Sequence, residues 1–211
     1  INYAQLILNK ALADSREYEL SQRIIRESER VATIVRELLY FAREESQEVH
    51  ATTVSDALSE ALALTQNQLN KEGVLLHVQI PEDLPGIMSR SHQIQQLFLN
   101  LISNARHALT EKYPEMNDDK ILSISAGLIE KDNKPFVRIV FRDHGVGIEQ
   151  DLLPRVMNPF TTTKSSKDGT GLGLSISHEI VQKHGGTMSI DSVHGVFTEV
   201  VIEIPSALVA G

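Results

Sequence analysis

From Val54 to Pro205 the apolar residues change period repeatedly, between the 3.6 of a helix and the 2 of a strand. A chain patterned this way has few means of burying its apolar stripes: strands gathered in a sheet, with helices laid over it. The spacing predicts a helix over residues 55–71, with Leu58, Ala61, Leu62 and Leu69 inward and Gly73 as its stop. Alternation over Val74–Ile80 reads as a strand, and Pro81–Pro85 as a turn. A second helix begins at Ser91 and reaches Leu109. Strands are expected at Ile121–Ile129 and Pro135–Arg142, joined through Asp132-Asn133-Lys134. An irregular stretch, Gly145–Gly173, precedes a helix over Leu174–His184, stopped by Gly185-Gly186, and closing strands near Thr187–Ser192 and Thr198–Ile204. This order predicts an α+β chain: a two-layer α/β sandwich, with a mixed sheet and its helices on one face.

The first residues predict an α-helical hairpin ahead of that sandwich. Ile1, Ala4, Leu8, Ala11 and Leu12 recur at helical spacing, and Asp14 is placed to cap a longer helix from about Ser15 to Glu45. In that helix Ile24, Ser28, Val31, Val35, Leu38 and Ala42 alternate steps of four and three, a coiled-coil-like seam widened by Ile25, Ala32 and Leu39. Two such hairpins could form a homodimeric four-helix bundle, or one could pack on its own globular domain. Arg43–His50 is polar and reads as a linker or helix end. The division expected is residues 1–48 for the hairpin and 49–211 for the second domain.

Composition narrows the function. Hydrophobic residues make up 41% of 211, enough for a packed core. The net charge of −8 argues against a nucleic-acid binder. The chain has no cysteine, which excludes disulfides and fits a cytoplasmic location. No apolar run is long enough to span a bilayer, so no membrane contact by this chain is expected.

Three segments carry the chemistry. On the helix over 91–109, Ile94, Phe98, Leu101, Ala105 and Leu109 share one face, while Gln96, Asn100, Asn104 and His107 form a polar stripe. A carboxamide oxygen is a hard ligand suited to Mg²⁺; a solvated face is the plainer reading of such a stripe. Arg142-Asp143-His144-Gly145-Val146-Gly147 comes next, with Asp143 where an apolar strand ends. A carboxylate there can accept from an exocyclic amino group, and Gly145 and Gly147 let backbone approach a planar base; an ordinary turn is the alternative. The third segment, Asn158–Leu174, is glycine-spaced, hydroxyl-rich and ends at a helix start, with Lys164 and Lys167 inside it. Such a start binds anions, and such a loop can close over a nucleotide; a plain surface loop would look similar. Its spacing differs from that of the phosphate loop G-x-x-x-x-G-K-[ST]. His144 stands without metal-ligand spacing and reads as a loop residue, and His178 and His184 as structural or solvated.

Taken in order, these segments resemble the N box, first glycine box, F box and second glycine box of histidine kinase catalytic domains, within the wider group of GHKL ATPases that share the Bergerat ATP-binding fold. The resemblance covers about Val54–Pro205, including the closing strand G-V-F-T-E-V-V-I-E-I-P. The segment Ile24–Phe41 is similar to the second helix of the family's dimerisation and phosphotransfer domain. By that resemblance Asn104 holds Mg²⁺, and Asn100 falls where the hydrolysing members (gyrase, mismatch-repair and chaperone types) carry a water-activating glutamate. A carboxamide cannot act as that base, so phosphoryl transfer is favoured over hydrolysis. Asp143 binds the adenine amino group, supported by Thr198, with Gly145 and Gly147 lining the pocket. Gly169, Gly171 and Gly173, with Thr170 and Leu172 between them, wrap the phosphates, and Lys164, His107 and Lys167 approach them. Asn100, Asn104 and Lys164 are the positions expected to act in catalysis.

The chain also departs from the family pattern. No H-E-x-x-N-P-like acceptor motif occurs, and none of the eight histidines precedes His50. Ile1-Asn2-Tyr3-Ala4 resembles the residues just past the family's acceptor site, so this chain is expected to bind ATP without labelling itself. Phe197 stands where the family often has glycine, and Thr161 where it often has an aromatic residue. The resemblance implies a protein-histidine kinase, the cytoplasmic part of a sensor that can be membrane-bound. It would be homodimeric through the hairpin and would pass phosphate to a response-regulator receiver domain. The rival readings are a hydrolysing GHKL ATPase and a non-catalytic nucleotide-binding scaffold.

Overall fold

A computed structural model describes residues 2–11, 15–25, 27–28, 49–161 and 170–209. The chain divides into two compact units, one of Ile1–Gln47 with Phe160–Leu172, the other of Glu48–Pro159 with Gly173–Gly211.

In the first unit, α1 spans Asn2–Leu8 and residues 16–25 and 27–28 are helical. The expected cap, Asp14, lies outside the described residues; Ser15 Oγ accepts from the Tyr18 N–H at 3.2 Å. Of the expected seam Ile24 and Ser28 are described, with Ile25 of the row that widens it; Ile25 is half-buried, and Ile24 is exposed along with Leu6, Ile7 and Leu20.

The second unit is a two-layer α/β sandwich. Five strands lie in the order β2-β4-β5-β7-β6, spanning Leu75–Gln79 (β2), Ile121–Lys131 (β4), Lys134–Asp143 (β5), Thr187–Val193 (β6) and Phe197–Pro205 (β7). β2 pairs parallel to β4 and the other neighbours are antiparallel, so the sheet is mixed. Three helices cover one face: α2 (Val54–Lys71), α3 (Ser91–Lys112) and α4 (Gly173–Lys183). The alternation read from the sequence is the cause. Leu122 and Ile124 on β4, Val137, Ile139 and Phe141 on β5, and Val200, Ile202 and Ile204 on β7 all point under the helices and are buried. On the other face the ion pairs Arg142–Glu199 at 2.9 Å and Arg138–Glu203 at 2.6 Å flank the opposed valines Val140 and Val201.

Helix α3 lies between α2 and α4 and is the spine of the helical layer. Its predicted inward face, Ile94, Phe98, Leu101, Ala105 and Leu109, is buried, joined by Leu97 and Ile102. Phe98 meets Phe141 of β5 with ring centroids 5.4 Å apart. A core aromatic of this kind is worth about 3–5 kcal/mol against alanine. Thr53 caps α2 by accepting from the Asp56 N–H at 3.1 Å. The β4–β5 turn is the one expected: Asp132 and Asn133 both take positive φ, 52° and 57°, which suits a tight hairpin. Two strands were not predicted. β1 (His50–Thr52) and β3 (Ile87–Ser89) form a separate antiparallel pair, in segments read as linker and as lying beyond a turn. Among the described residues no helix is long and apolar enough to cross a membrane.

Candidate functional site

Helix α3 carries both halves of the site, because its polar stripe faces the start of α4 and its last turns reach the end of β5. At the α4 end, Gln96 Nε2 donates to Asn100 Oδ1 at 3.0 Å, and Asn100 Nδ2 donates to the Gly173 carbonyl at 3.2 Å. Ser177 Oγ donates to the same carbonyl at 2.8 Å. Asn100 therefore ties α3 to the first residue of α4. A Cβ built on Gly173 would lie 3.9 Å from the side chains of both Asn100 and Asn104, so the two asparagines and the helix start share one spot.

One turn further, His107 Nδ1 lies 2.7 Å from the Ser103 carbonyl, and Nε2 lies 3.1 Å from Arg106 Nη2. A carbonyl only accepts and a guanidinium only donates, so Nδ1 carries the proton and Nε2 is an acceptor. Arg106 in turn pairs with Glu72 at 2.5 Å, and Thr110 donates to the other Glu72 oxygen at 3.0 Å. Burial pushes the Glu72 carboxyl up, but hydrogen bonds from Gln68, Thr110 and Arg106 outweigh it and leave it below its usual range.

The other half is built where β5 ends beside β7, in the middle of the sheet. Asp143, the last residue of β5, is directly opposed to Thr198, and both are buried. Asp143 Oδ1 accepts from the Gly145 N–H at 2.9 Å. Burial raises the Asp143 carboxyl to about 7, against the pull of that N–H and of the Lys112 ammonium. The glycines are dictated by close approach. A Cβ on Gly145 would sit 2.6 Å from the Ala108 backbone of α3. Gly147 has φ +68°, and a Cβ there would sit 2.3 Å from the Val193 carbonyl. Val146 N–H donates to the Ala108 carbonyl at 3.2 Å, and Gly195 N–H to the Val146 carbonyl at 2.6 Å. The loop after β5 is thus strapped between α3 and the β6–β7 hairpin.

The structure brings together Asn100, Asn104 and Gly173 beside the middle of α3, and Asp143, Gly145, Gly147 and Thr198 beyond its last turns. Thr170, Gly171 and Leu172 belong to the other unit. There Phe160 N–H donates to the Gly171 carbonyl at 2.9 Å and Leu172 N–H to Thr170 Oγ1 at 3.3 Å. Lys164, Lys167 and Gly169 lie outside the described residues. Among the described residues His144 bonds through its backbone: its N–H donates to the Ile121 carbonyl at 3.2 Å and its carbonyl accepts from Lys112 Nζ at 2.8 Å. His184 closes α4, its Nδ1 at 2.7 Å from the Ile180 carbonyl. Two residues went unread in the sequence. Lys112 also donates to the Val196 carbonyl at 3.3 Å and so ties the post-β5 loop to the hairpin. Ser192, buried in β6, receives the Ile148 N–H at 2.8 Å. A single lysine or serine outside any motif gives no sequence signal.

Among the described residues no group of three or more His, Cys, Asp or Glu could hold a metal.

This fold and these two half-sites define an ATP-binding domain of the Bergerat type. The chain belongs to the family of histidine kinase-, DNA gyrase B- and HSP90-like ATPases, whose model matches residues 89–208. It is similar to the sensor histidine kinase ZraS of Escherichia coli (strain K12), at 29% identity, over 91% of this chain and 38% of that protein. It is also similar to sporulation kinase E of Bacillus subtilis (strain 168), at 29% identity over 86% of this chain and 23% of that one. The chain therefore spans well under half the length of these relatives. Among solved structures, the catalytic domain of histidine kinase ThkA aligns with a TM-score of 0.62 and 23% identity, over 76% of this chain and 97% of that one. Full-length ShkA in complex with AMPPNP aligns at 0.70 and 22%, over 97% of this chain and 42% of that one.

Proposed function

We propose that this chain is the ATP–Mg²⁺-binding catalytic part of a two-component sensor histidine kinase. In this reading residues 1–48 are a dimerising helical hairpin and 49–211 the catalytic domain. The observation that carries it is the buried pair Asp143–Thr198 at the floor of a glycine-lined loop, two acceptors set to receive an adenine amino group. Gly145 and Gly147 leave space where any side chain would collide. Asn104 offers its carboxamide oxygen to Mg²⁺, which when bound neutralises phosphate charge. Gly169–Gly173 surround the phosphates with backbone N–H groups, Lys164 and Lys167 add positive charge, and His107 approaches the phosphates. His107 must turn or take up a proton to serve as a donor there, because Nε2 now accepts from Arg106.

The reaction is an in-line displacement. An imidazole nitrogen of a histidine outside this chain attacks the γ-phosphorus, the bond to the β–γ bridging oxygen breaks, and ADP leaves. The phosphoryl group then passes to an aspartate of a receiver domain. Asn100 sits where a hydrolase needs a base, and its amide is occupied by Gln96 and Gly173, so it has no proton-accepting group to offer water. The exposed Leu6, Ile7, Leu20 and Ile24 support a homodimer through the hairpin.

The test is transfer in trans. The chain is mixed with γ-labelled ATP, Mg²⁺ and a family phosphoacceptor hairpin carrying its histidine. Acid-labile label on the hairpin is expected, with none on this chain. Release of inorganic phosphate without labelling would favour the hydrolysing ATPase, and neither product the scaffold.

A further inference from the structure

Ser192 has three hydrogen bonds, and their directions are fixed by valence. Its hydroxyl lies 2.7 Å from the Phe197 carbonyl, which only accepts, so the single serine proton goes there. The Ile148 N–H donates to Oγ at 2.8 Å, which fills one lone pair. Thr198 Oγ1 stands 3.2 Å from the same atom. With the serine proton already placed, Thr198 must be the donor. Ser192 is then saturated, with one bond given and two received. Thr198, having given its only proton to Ser192, retains acceptor capacity alone.

We propose that Ser192 is a positioning residue for base selection: it fixes the Thr198 hydroxyl as an acceptor, so that Thr198 and the facing Asp143 together favour a purine bearing an amino group over one bearing a carbonyl oxygen. The inference rests on the adenine-site reading above. A six-amino group has two N–H donors. Asp143 Oδ1 is held by Gly145, and among the described residues no hydrogen bond occupies its Oδ2. Oδ2 and Thr198 Oγ1, on directly opposed residues of β5 and β7, supply two acceptors. Above pH 7, where the Asp143 carboxyl has given up its proton, a carbonyl in that position meets acceptors only, and an unpaired buried polar group is costly. Without Ser192, the threonine hydroxyl could rotate and donate to that carbonyl, and discrimination would fall. The same serine holds Ile148, just after Gly147, and Phe197, just before Thr198. The loop and the strand that flank the base are therefore fixed through one side chain.

The experiment compares ADP with inosine diphosphate, which carries a carbonyl where ADP carries the amino group, by calorimetry on the whole chain with Mg²⁺ at a pH well above 7, where Asp143 is ionised. The wild type should prefer ADP. In Ser192→Ala the ratio of the two dissociation constants should fall roughly tenfold, whatever happens to both affinities together. In a Thr198→Val background, Ser192→Ala should not change the ratio further. A ratio within about twofold of wild type, or an equal fall in the Thr198→Val background, overturns the proposal. If Ser192→Ala fails to give a cooperative melt, Ser192→Cys replaces it, because its weak S–H and S groups should lower the ratio in the same direction. Asp143→Ala separates the two readings. Loss of ADP binding there with an unchanged Ser192→Ala ratio removes this inference alone. ADP binding that survives Asp143→Ala, or a wild type that binds neither nucleotide, removes the adenine site as well.

Discussion

Asp143 and Thr198 are directly opposed across the β5–β7 ladder, both buried, with the carboxylate braced by the Gly145 N–H and the hydroxyl by Ser192. Opposed residues on neighbouring strands share a face. This pair sits on the helix-covered face, at the end of two inner strands where the loop to Gly147 leaves. A buried carboxylate so placed is costly unless it has a polar ligand to meet, and its protonation reflects that cost.

Asp143 should make the nucleotide-free protein less stable as pH rises. In the unfolded chain it ionises around 3.8, whereas in the folded chain burial holds the proton until about 7. Between those values the folded state binds more protons, so stability is greatest at the acid end and is lost as pH climbs through 7, by on the order of a few kcal/mol. Thermal melts from pH 5 to 9 should show a steeper decline for the wild type than for Asp143→Asn. Parallel curves would contradict the burial argument.

Gly147→Ala should damage the base pocket. The residue has φ +68° and its added Cβ would meet the Val193 carbonyl at 2.3 Å. The backbone conformation alone costs about 1–2 kcal/mol in a non-glycine residue. ADP affinity should fall by at least roughly tenfold, with a lowered melting temperature, when both are measured on the same preparation.

Asn104 and Asn100 should separate in their effects. Asn104→Ala should abolish the gain in ADP affinity that Mg²⁺ provides. Asn100→Ala removes the tie from α3 to the Gly173 carbonyl, and should lower stability by about 1 kcal/mol. Titrations with and without Mg²⁺, beside denaturant curves, distinguish them.

Glu72→Gln tests the brace between α2 and α3. Glu72 accepts from Arg106 and Thr110 through different oxygens. Substitution should cost about 1–2 kcal/mol in urea unfolding at neutral pH. That cost should shrink in acid, because a carboxylate held below its usual range gives up its contribution as pH falls through its folded value.

Much of the sandwich was legible because its elements are long and strictly periodic. α3 repeats its apolar face from Ile94 to Leu109, and β5 and β7 alternate buried and less buried positions along most of their length. The β4–β5 turn was legible because Asp and Asn tolerate the left-handed backbone it needs. β1 and β3 were not. Each has three residues, too few to show a period, and His50 finds its partner Ser89 only across the intervening helix and strand. In the site, Asp143, Gly145 and Gly147 stood out because they fall together in one short motif. Ser192 did not, because its role arises only when folding brings the Ile148 N–H, the Phe197 carbonyl and the Thr198 hydroxyl around it. The apolar seam past Ser28 and the lysines of the glycine-rich loop lie outside the described residues.

The most direct test is a calorimetric titration of the chain with ADP and Mg²⁺, run beside Asp143→Ala. Saturable binding of ADP by the wild type, lost in the variant while its melt remains cooperative, is the predicted result. A folded wild type that binds no ADP, or a variant that binds it equally well, would contradict the adenine site and with it the kinase reading.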